Sequence, residues 1–192
     1  HKVCRSKIDH IPHGIPEITR EAGARFRESL NIPGPMILTF GLLSPDKGIE
    51  FAIRAMPEIV KQHPEATYVV LGATHPNIRA HVGEGYRESL VNLARELNVE
   101  DNVRFIDRFV TIEELTGYLG ATDIYITPYL NPRQITSGTL AYAVGAGKAV
   151  VSTPYWYAQE LLARGRGSLV PFRDAGAIAE SVLKVLNDPD LK

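Results

Sequence analysis

The chain has 192 residues, of which 44% are apolar and 22% charged, and its formal net charge is −1. These values suit one folded domain, exclude an intrinsically disordered chain, and give no electrostatic reason to expect a nucleic acid or a membrane surface as a partner. No apolar run is long enough to cross a bilayer, and the single cysteine, Cys4, cannot form an internal disulfide, so we expect a reducing, cytoplasmic location.

Apolar, strand-like runs alternate with amphipathic helical runs after a polar, basic opening stretch that Pro and Gly interrupt. Because of this composition, we expect residues 1–16 to be a lead-in from a missing N-terminal domain and residues 17–192 to form the domain itself; the start at His1 rather than Met also suggests a piece of a longer chain. Strands are predicted at 36–41, 67–72, 103–106, 123–127, 149–153 and 168–171. Helices are predicted from residue 49, at 86–97, at 111–119 with a Thr111–Glu114 capping box, at 139–146 and 157–164, and after a cap at Asp174.

This order of elements amounts to about six β–α units, each of a size that suits a right-handed crossover. The predicted fold class is therefore α/β, with a Rossmann-like parallel sheet and helices on both faces. Sheets of this kind bind their ligands at the carboxyl ends of the strands. We therefore look for functional residues in the turns that follow residues 41, 72, 106, 127 and 153.

The first of these turns, from Gly41 to Gly48, carries a lysine at the mouth of a predicted helix. It matches neither the G-x-G-x-x-G dinucleotide pattern nor the Walker pattern. Backbone N–H groups and the helix dipole favour an anion at such a position, and Lys47 adds a positive charge that suits a phosphate. A solvated lysine beside a turn glycine explains the same residues equally well.

A second candidate follows the strand at 123–127, where residues 131–140 (NPRQITSGTL) run into a helix. The Ser, Gly and Thr residues at this helix start offer N–H donors and hydroxyls to a phosphate or a sugar. Ordinary N-capping by Ser137 or Thr136 is the simpler explanation of this segment taken alone. Two such helix starts at one edge of a sheet, however, favour a diphosphate ligand.

Two further groups of residues keep alternative interpretations. His75 and His81 flank a Pro-Asn turn, where a solvated loop is favoured over a metal site, so no metal site is predicted. The aromatic cluster of Tyr155, Trp156 and Tyr157 follows a strand end. It suits either a lid over a ligand or a cover for the domain's own core.

Four segments, taken in order, resemble retaining glycosyltransferases of the GT-B fold: residues 11–15 (IPHGI), 40–48 (FGLLSPDKG), 143–151 (AVGAGKAVV) and 158–161 (AQEL). That family of nucleotide-sugar transferases includes sucrose synthase and bacterial mannosyl- and glucosyltransferases. The resemblance covers nearly the whole chain and matches only the C-terminal, donor-binding half of such enzymes. It implies that this domain is one half of a two-domain GT-B architecture.

The resemblance also implies roles for individual residues. Lys47 falls on the lysine that binds the donor diphosphate and is the candidate catalytic residue, in the turn that Gly41 opens. The loop whose backbone amides meet the donor sugar and phosphate corresponds to Ser137, Gly138, Thr139 and Leu140. The turn that holds the nucleobase, largely through its backbone, corresponds to Asp107, Arg108 and Phe109.

Three positions depart from the family's pattern. Leu42 stands where the family usually has an arginine directly after the glycine, so one of the two cations that neutralise the diphosphate is missing. The family's paired glutamates fall on Gln134, at the donor sugar, and on Tyr142, at the ribose of the nucleoside. We hypothesise that Arg133, next to Gln134, supplies the missing positive charge.

The resemblance implies transfer of a sugar from a nucleotide diphosphate sugar to a hydroxyl acceptor, with retention at the anomeric carbon. Lys47 and the amides of residues 137–140 would stabilise the leaving diphosphate, so neither a divalent metal nor a cofactor is expected. The expected partners are the nucleotide sugar and the missing N-terminal acceptor domain, with no nucleic acid and no membrane contact in this half. The fragment alone is expected to be inactive.

Two other functions remain open at this point. One is a non-catalytic domain that binds a nucleotide sugar or a partner and has lost the acidic pair. The other is an unrelated nucleotide-binding α/β domain, such as that of an NAD-dependent enzyme, against which the absent glycine fingerprint argues.

Overall fold

Six parallel strands form one sheet in a computed structural model, which describes residues 9, 11, 13–18 and 20–188, without the side chains of residues 20–22 and 82. The strands are β1 (Met36–Phe40), β2 (Thr67–Leu71), β3 (Val103–Ile106), β4 (Ile124–Thr127), β5 (Ala149–Ser152) and β6 (Ser168–Leu169). Their order, β3-β2-β1-β4-β5-β6, and their parallel pairing confirm the predicted Rossmann-like class. Cys4, Pro12 and most of the predicted lead-in lie outside the described residues, and the boundary after residue 16 stays a prediction.

Helices connect the strands across the described part of the chain. They are α1 (Arg20–Leu30), α2 (Ile49–Gln62), α3 (Pro76–Val82), α4 (Gly85–Glu96), α5 (Ile112–Ala121), α6 (Gly138–Gly145), α7 (Trp156–Leu161) and α8 (Ala175–Asn187). Both predicted caps are confirmed. Thr111 and Glu114 form the capping box of α5, and the Asp174 carboxylate accepts a hydrogen bond from the Ala177 amide at the start of α8.

Two predictions about helices are wrong. The segment between His75 and His81 is the helix α3 rather than a loop, because Pro76 suits a first helical position and the His75 ring caps the helix by accepting a bond from the Asn77 amide. The helix predicted at 157–164 ends at Leu161, since Arg164 has a left-handed φ of 63° within a separate 3₁₀ turn.

Helix α1 has no counterpart among the predicted elements. It packs on α5 at a close approach of two backbones, where a Cβ on Gly23 would come within 2.4 Å of the Gly120 carbonyl carbon. Phe26 fills the adjoining space and lies against the ring of Tyr118 on α5 at a centroid distance of 4.8 Å. A contact that depends on glycines leaves only a weak apolar pattern in the sequence.

The helices cover both faces of the sheet, and each face has its own hydrophobic core. Helices α2, α4 and α8 pack on the face to which Ile37 of β1 contributes. Helices α1, α5, α6 and α7 pack on the face to which Met36 and Leu38 contribute. All five residues of β1 are buried, which explains why this strand is a continuous apolar run rather than an alternating one.

The two central strands, β1 and β4, mark the point where the order of the strands reverses. From β1 the chain proceeds through β2 to β3 on one side, and it then returns to β4 and continues to β5 and β6 on the other. The loops that leave β1 and β4 therefore diverge, and the crevice between them is where sheets of this type bind their ligands. We call it the β1–β4 crevice.

Candidate functional site

The turn after β1 packs directly against the chain that leaves β4. Gly48 adopts a left-handed φ of 62°, and a Cβ there would come within 2.2 Å of the Pro128 carbonyl oxygen. The Leu130 amide donates a 2.8 Å hydrogen bond to the Asp46 carbonyl across the same contact. Only glycine fits at position 48, because a side chain would meet both an unfavourable backbone conformation and the β4 exit.

Lys47 lies within this contact rather than in solvent. Its side chain is half-buried, and its Nζ stands 3.9 Å from the centroid of the Tyr129 ring, at the exit of β4. Among the residues that the structure describes, no carboxylate lies within ion-pair distance of this ammonium. The crevice therefore contains a positive charge held by a neutral ring, which is the arrangement of a cation–π contact.

The start of α6 forms the opposite wall of the crevice. Ser137 caps the helix as predicted, since its Oγ accepts a 3.2 Å hydrogen bond from the Leu140 amide. The Leu140 amide is thereby occupied, while the amides of Gly138 and Thr139 belong to the first helical positions, which lack partners within a helix. A Cβ on Gly41 would lie 3.3 Å from the Thr139 methyl group, so the turn after β1 lies beside the start of α6.

Buried hydroxyl groups and stacked rings lie beneath the crevice. Tyr129 and Tyr155 stack with a centroid distance of 5.4 Å and an interplanar angle of 19°. The Tyr129 hydroxyl lies 3.0 Å from Thr139 Oγ1, and the Tyr155 hydroxyl lies 3.3 Å from Thr127 Oγ1. Burial raises the pKa of Tyr155 to about 12, so its ring is a neutral phenol at pH 7.

The aromatic cluster after β5 is divided between the core and the surface. Tyr155 is fully buried and belongs to the core, whereas Trp156 is 56% exposed at the start of α7. The Trp156 and Tyr157 amides donate to the Pro132 and Gln134 carbonyls at 3.1 Å each, which fixes the loop before α6. The cluster thus acts as scaffold for that loop.

Arg133 and Gln134 lie in this loop. Gln134 turns its side-chain amide back on the chain and donates from Nε2 to the Thr136 carbonyl at 3.0 Å. Arg133 is exposed, and its backbone amide is held by the Asn131 side chain. The roles of both residues toward a donor, and the hypothesis that Arg133 supplies a missing charge, stay predictions.

The predicted nucleoside turn follows β3 and borders a cavity of about 190 Å³. The cavity is lined by Phe40, Gly41, Leu42, Leu71, Gly72, Ala73, Arg108, Phe109, Val110 and Leu115. Phe109 is 73% exposed at its rim. Asp107 and Arg108 are held by ion pairs, to Arg87 at 2.8 Å and to Glu114 at 2.6 Å, so these side chains are already engaged.

Tyr142 lies on α6 and is not among the residues that line this cavity. Its ring contacts His13 edge-on at a centroid distance of 5.4 Å and lies 6.5 Å from the ring of Phe40. His13 also lies over the first residue of α6, where a Cβ on Gly138 would come within 2.9 Å of its Nε2. A ribose contact by Tyr142 stays a prediction.

Sequence reasoning missed two residues that organise the site. Tyr129 was hidden in the loop after β4, where nothing distinguishes it from an ordinary core tyrosine. Arg87 is only 8% exposed, and its Nη2 donates to the Gly72 carbonyl at 2.7 Å besides pairing with Asp107. Its position three residues before Leu90 on the buried stripe of α4 was the available signal.

No group of three or more His, Cys, Asp or Glu residues stands close enough together to hold a metal ion within residues 9, 11, 13–18 and 20–188. Every helix in that same part of the chain is too short or too polar to span a bilayer.

The chain is similar in sequence or in fold to several known proteins, named glycosyltransferases among them. The chain is 27% identical to the GDP-mannose-dependent alpha-(1-6)-phosphatidylinositol monomannoside mannosyltransferase of Mycolicibacterium smegmatis, over 95% of this chain and 48% of that protein. It superposes on sucrose-phosphate synthase from Thermosynechococcus elongatus with a TM-score of 0.75 and 26% identity, over 88% of this chain and 40% of that one. The chain thus spans about half the length of the relatives it matches.

A separately solved domain covers the same region. The C-terminal domain of a glycosyl transferase group 1 family protein (LpcC) from Francisella tularensis aligns with a TM-score of 0.74 at 22% identity, over 92% of this chain and 87% of that one. This likeness shows a shared fold. The family model of glycosyl transferases group 1 matches residues 34–188, from β1 through α8. The chain therefore belongs to that family.

Proposed function

We propose that this domain binds a nucleotide diphosphate sugar in the β1–β4 crevice and is the donor-binding half of a glycosyltransferase. The parent enzyme would move the sugar to a hydroxyl acceptor with retention at the anomeric carbon, the stereochemistry that the family resemblance implies. The acceptor site would lie on the partner domain. Family membership also removes the reason to consider an unrelated NAD-dependent domain.

One observation carries the proposal: a positive charge and the start of a helix face each other across the crevice. Lys47 comes from the turn after β1, and Gly138 and Thr139 come from the loop after β4. A diphosphate leaving group develops negative charge as the bond to the sugar breaks, and preorganised donors stabilise that charge. The ammonium and the helix amides together meet this need with groups of the chain alone.

The nucleoside would extend from the crevice toward the cavity beside Phe109. Gly41 and Leu42 line this cavity and also belong to the turn that contains Lys47, so the two places are continuous. The apolar lining suits the flat face of a base.

The test is the affinity of Lys47→Ala for GDP and UDP, measured by calorimetry on the 192-residue chain. Loss of a charge-assisted contact is expected to weaken binding about ten- to a hundredfold, or about 1.5–3 kcal/mol, while the bare nucleosides bind as before. Lys61→Ala is the matched control, because Lys61 is an exposed lysine at the end of α2. EDTA is expected to leave both affinities unchanged.

If Lys47→Ala binds GDP and UDP as tightly as the unaltered chain does, the assignment of the phosphate site is contradicted. The alternative of a non-catalytic binding domain predicts normal nucleotide binding without turnover. Sugar transfer by the full-length parent protein separates the two, and the 192-residue chain alone is expected to show none, because the reaction would take place between two domains.

A further inference from the structure

Tyr129 is the one residue that touches both walls of the β1–β4 crevice through described contacts. One face of its ring lies beneath the Lys47 ammonium, with Nζ 3.9 Å from the centroid. Its hydroxyl lies 3.0 Å from Thr139 Oγ1, in the first turn of α6. The ring also stacks on Tyr155 at 5.4 Å, and its carbonyl accepts a 2.6 Å hydrogen bond from Thr153 Oγ1.

We infer that Tyr129 is a positioning residue that sets Lys47 and the start of α6 at the spacing one diphosphate requires. The inference rests on the proposed function and deepens it, because it assigns phosphate recognition to a residue that does not itself touch the phosphate. Tyr129 acts through Lys47 by its ring face and through Thr139 by its hydroxyl.

The choice of a ring rather than a carboxylate has a physical consequence. A lysine has a flexible stem, so an unsupported ammonium would occupy many positions in the crevice. A carboxylate would fix it but would also cancel its charge toward an incoming anion. The face of a neutral ring attracts the ammonium and leaves that charge in place.

The surroundings of Tyr129 keep the ring where this contact needs it. Tyr129 is 2% exposed and Tyr155 is fully buried, so neither ring can turn freely. Within the described residues no carboxylate pairs with Lys47. Arg133 of the neighbouring loop is exposed, and no described contact joins it to Tyr129. The ring of Tyr129 is therefore the only described group that holds the ammonium.

A double-mutant cycle tests the inference, with Tyr129→Leu, Lys47→Ala and the double variant titrated with GDP and UDP. Removal of the ring face is expected to weaken nucleotide binding about five- to thirtyfold in the unaltered background, whereas in the Lys47→Ala background only the loss of the hydroxyl remains, which is at most about threefold. Guanosine and uridine are expected to bind all four proteins alike, because they carry no phosphate.

Because Tyr129 is buried, Tyr129→Leu also risks unfolding the chain, and two variants of the same shape avoid that risk. Tyr129→Phe keeps the ring face and removes the hydroxyl that lies 3.0 Å from Thr139 Oγ1, so a loss of at most about threefold is expected. Tyr129→trifluorophenylalanine keeps the ring and removes the negative charge of its face. It is expected to bind GDP and UDP less tightly than Tyr129→Phe, with melting temperatures that agree.

The outcomes separate the inference from the function beneath it. If Lys47→Ala has normal nucleotide affinity, or if neither nucleotide binds, the phosphate site itself is wrong and the inference fails with it. If Lys47→Ala weakens binding but the Tyr129 variants weaken it equally in both backgrounds, Tyr129 is only part of the core and the inference alone is overturned. Equal affinities for the phenylalanine and trifluorophenylalanine variants overturn it as well.

Discussion

The carboxyl edge of the sheet holds its cations in two different ways. In the β1–β4 crevice, Lys47 lies on the neutral ring of Tyr129. At the ends of β2 and β3, Arg87 pairs with Asp107 at 2.8 Å, and Arg108 pairs with Glu114 at 2.6 Å. In the first region no described carboxylate pairs with the cation, whereas the second region is internally neutral because each of its cations pairs with a carboxylate.

On the proposed function, this difference predicts how the two regions would divide the recognition of one nucleotide. A cation that already faces a carboxylate attracts a phosphate only weakly, whereas one that faces a ring attracts it fully. We therefore expect the diphosphate in the crevice and the uncharged base beside the cavity at Phe109. The ion pairs near β3 would keep the turn at residues 107–109 in place so that its backbone is available.

The largest expected effect concerns the backbone of the crevice. Gly48→Ala is expected to cost about 3 kcal/mol or more in the free energy of unfolding, since left-handed strain alone costs roughly 1–2 kcal/mol and the new Cβ would meet the Pro128 carbonyl at 2.2 Å. Gly147→Ala is the control, because Gly147, just after α6, has a φ of 67° but nothing within 4 Å of a Cβ, so it should cost only about 1 kcal/mol. Urea unfolding measures both, and equal losses would contradict the close contact.

The next effect concerns the neutral region. Arg87→Ala leaves Asp107 and the Gly72 carbonyl without their partner and is expected to cost about 2–3 kcal/mol of unfolding free energy. Arg95→Ala on the exposed face of the same helix should stay within about 0.5 kcal/mol. If the two variants unfold at the same urea concentration, the buried guanidinium does not organise this end of the sheet.

A third effect concerns affinity rather than stability. Phe109→Ala is expected to lower the affinity for guanosine or uridine, and for the diphosphates, by about five- to tenfold. The reason is that stacking of a base on an aromatic ring contributes about 1–3 kcal/mol. Lys47→Ala should leave the affinity for the nucleosides unchanged, so the two variants distinguish recognition of the base from recognition of the diphosphate. Leu169→Ala, which truncates an exposed leucine on the edge strand β6, should bind like the unaltered chain. A Phe109→Ala variant that loses only diphosphate affinity would refute the division.

The smallest effect concerns the pH dependence of stability. The Arg108 guanidinium, and then the Thr111 amide, lower the pKa of Glu114 from 4.5 to about 2. A carboxyl whose pKa is lower in the folded state stabilises the fold above pH 4.5, and this contribution disappears as the pH falls toward 2. Glu114→Gln keeps an acceptor for the capping box, but its melting temperature should depend less on pH between these two values than that of the unaltered chain.

The control for this measurement is Glu113→Gln, which removes an exposed carboxylate from the same first turn of α5. Its melting temperature should follow the same pH curve as that of the unaltered chain. If Glu114→Gln also follows that curve, the pair between Arg108 and Glu114 contributes nothing to folding.

Most of the fold was predictable because its signals are local. The apolar runs of β1 and β2, the capping box at Thr111 and the cap at Asp174 each appear within a few adjacent residues. Helix α1 was not predictable in this way, since its packing depends on the close approach of Gly23 to Gly120, about a hundred residues away. Helix α3 was missed because a Pro-Asn pair is as compatible with a turn as with a helix start.

The sequence by itself determined that Lys47 and residues 137–140 stand at helix starts after parallel strands, since strand, turn and helix signals are contained in short segments. Only the tertiary structure decided that β1 and β4 are neighbours, and hence that Lys47, Tyr129, Thr139 and Tyr155 meet in one crevice. Periodicity reports which side chains are buried. It does not report which strand lies beside which, because that depends on how all the crossovers pack together.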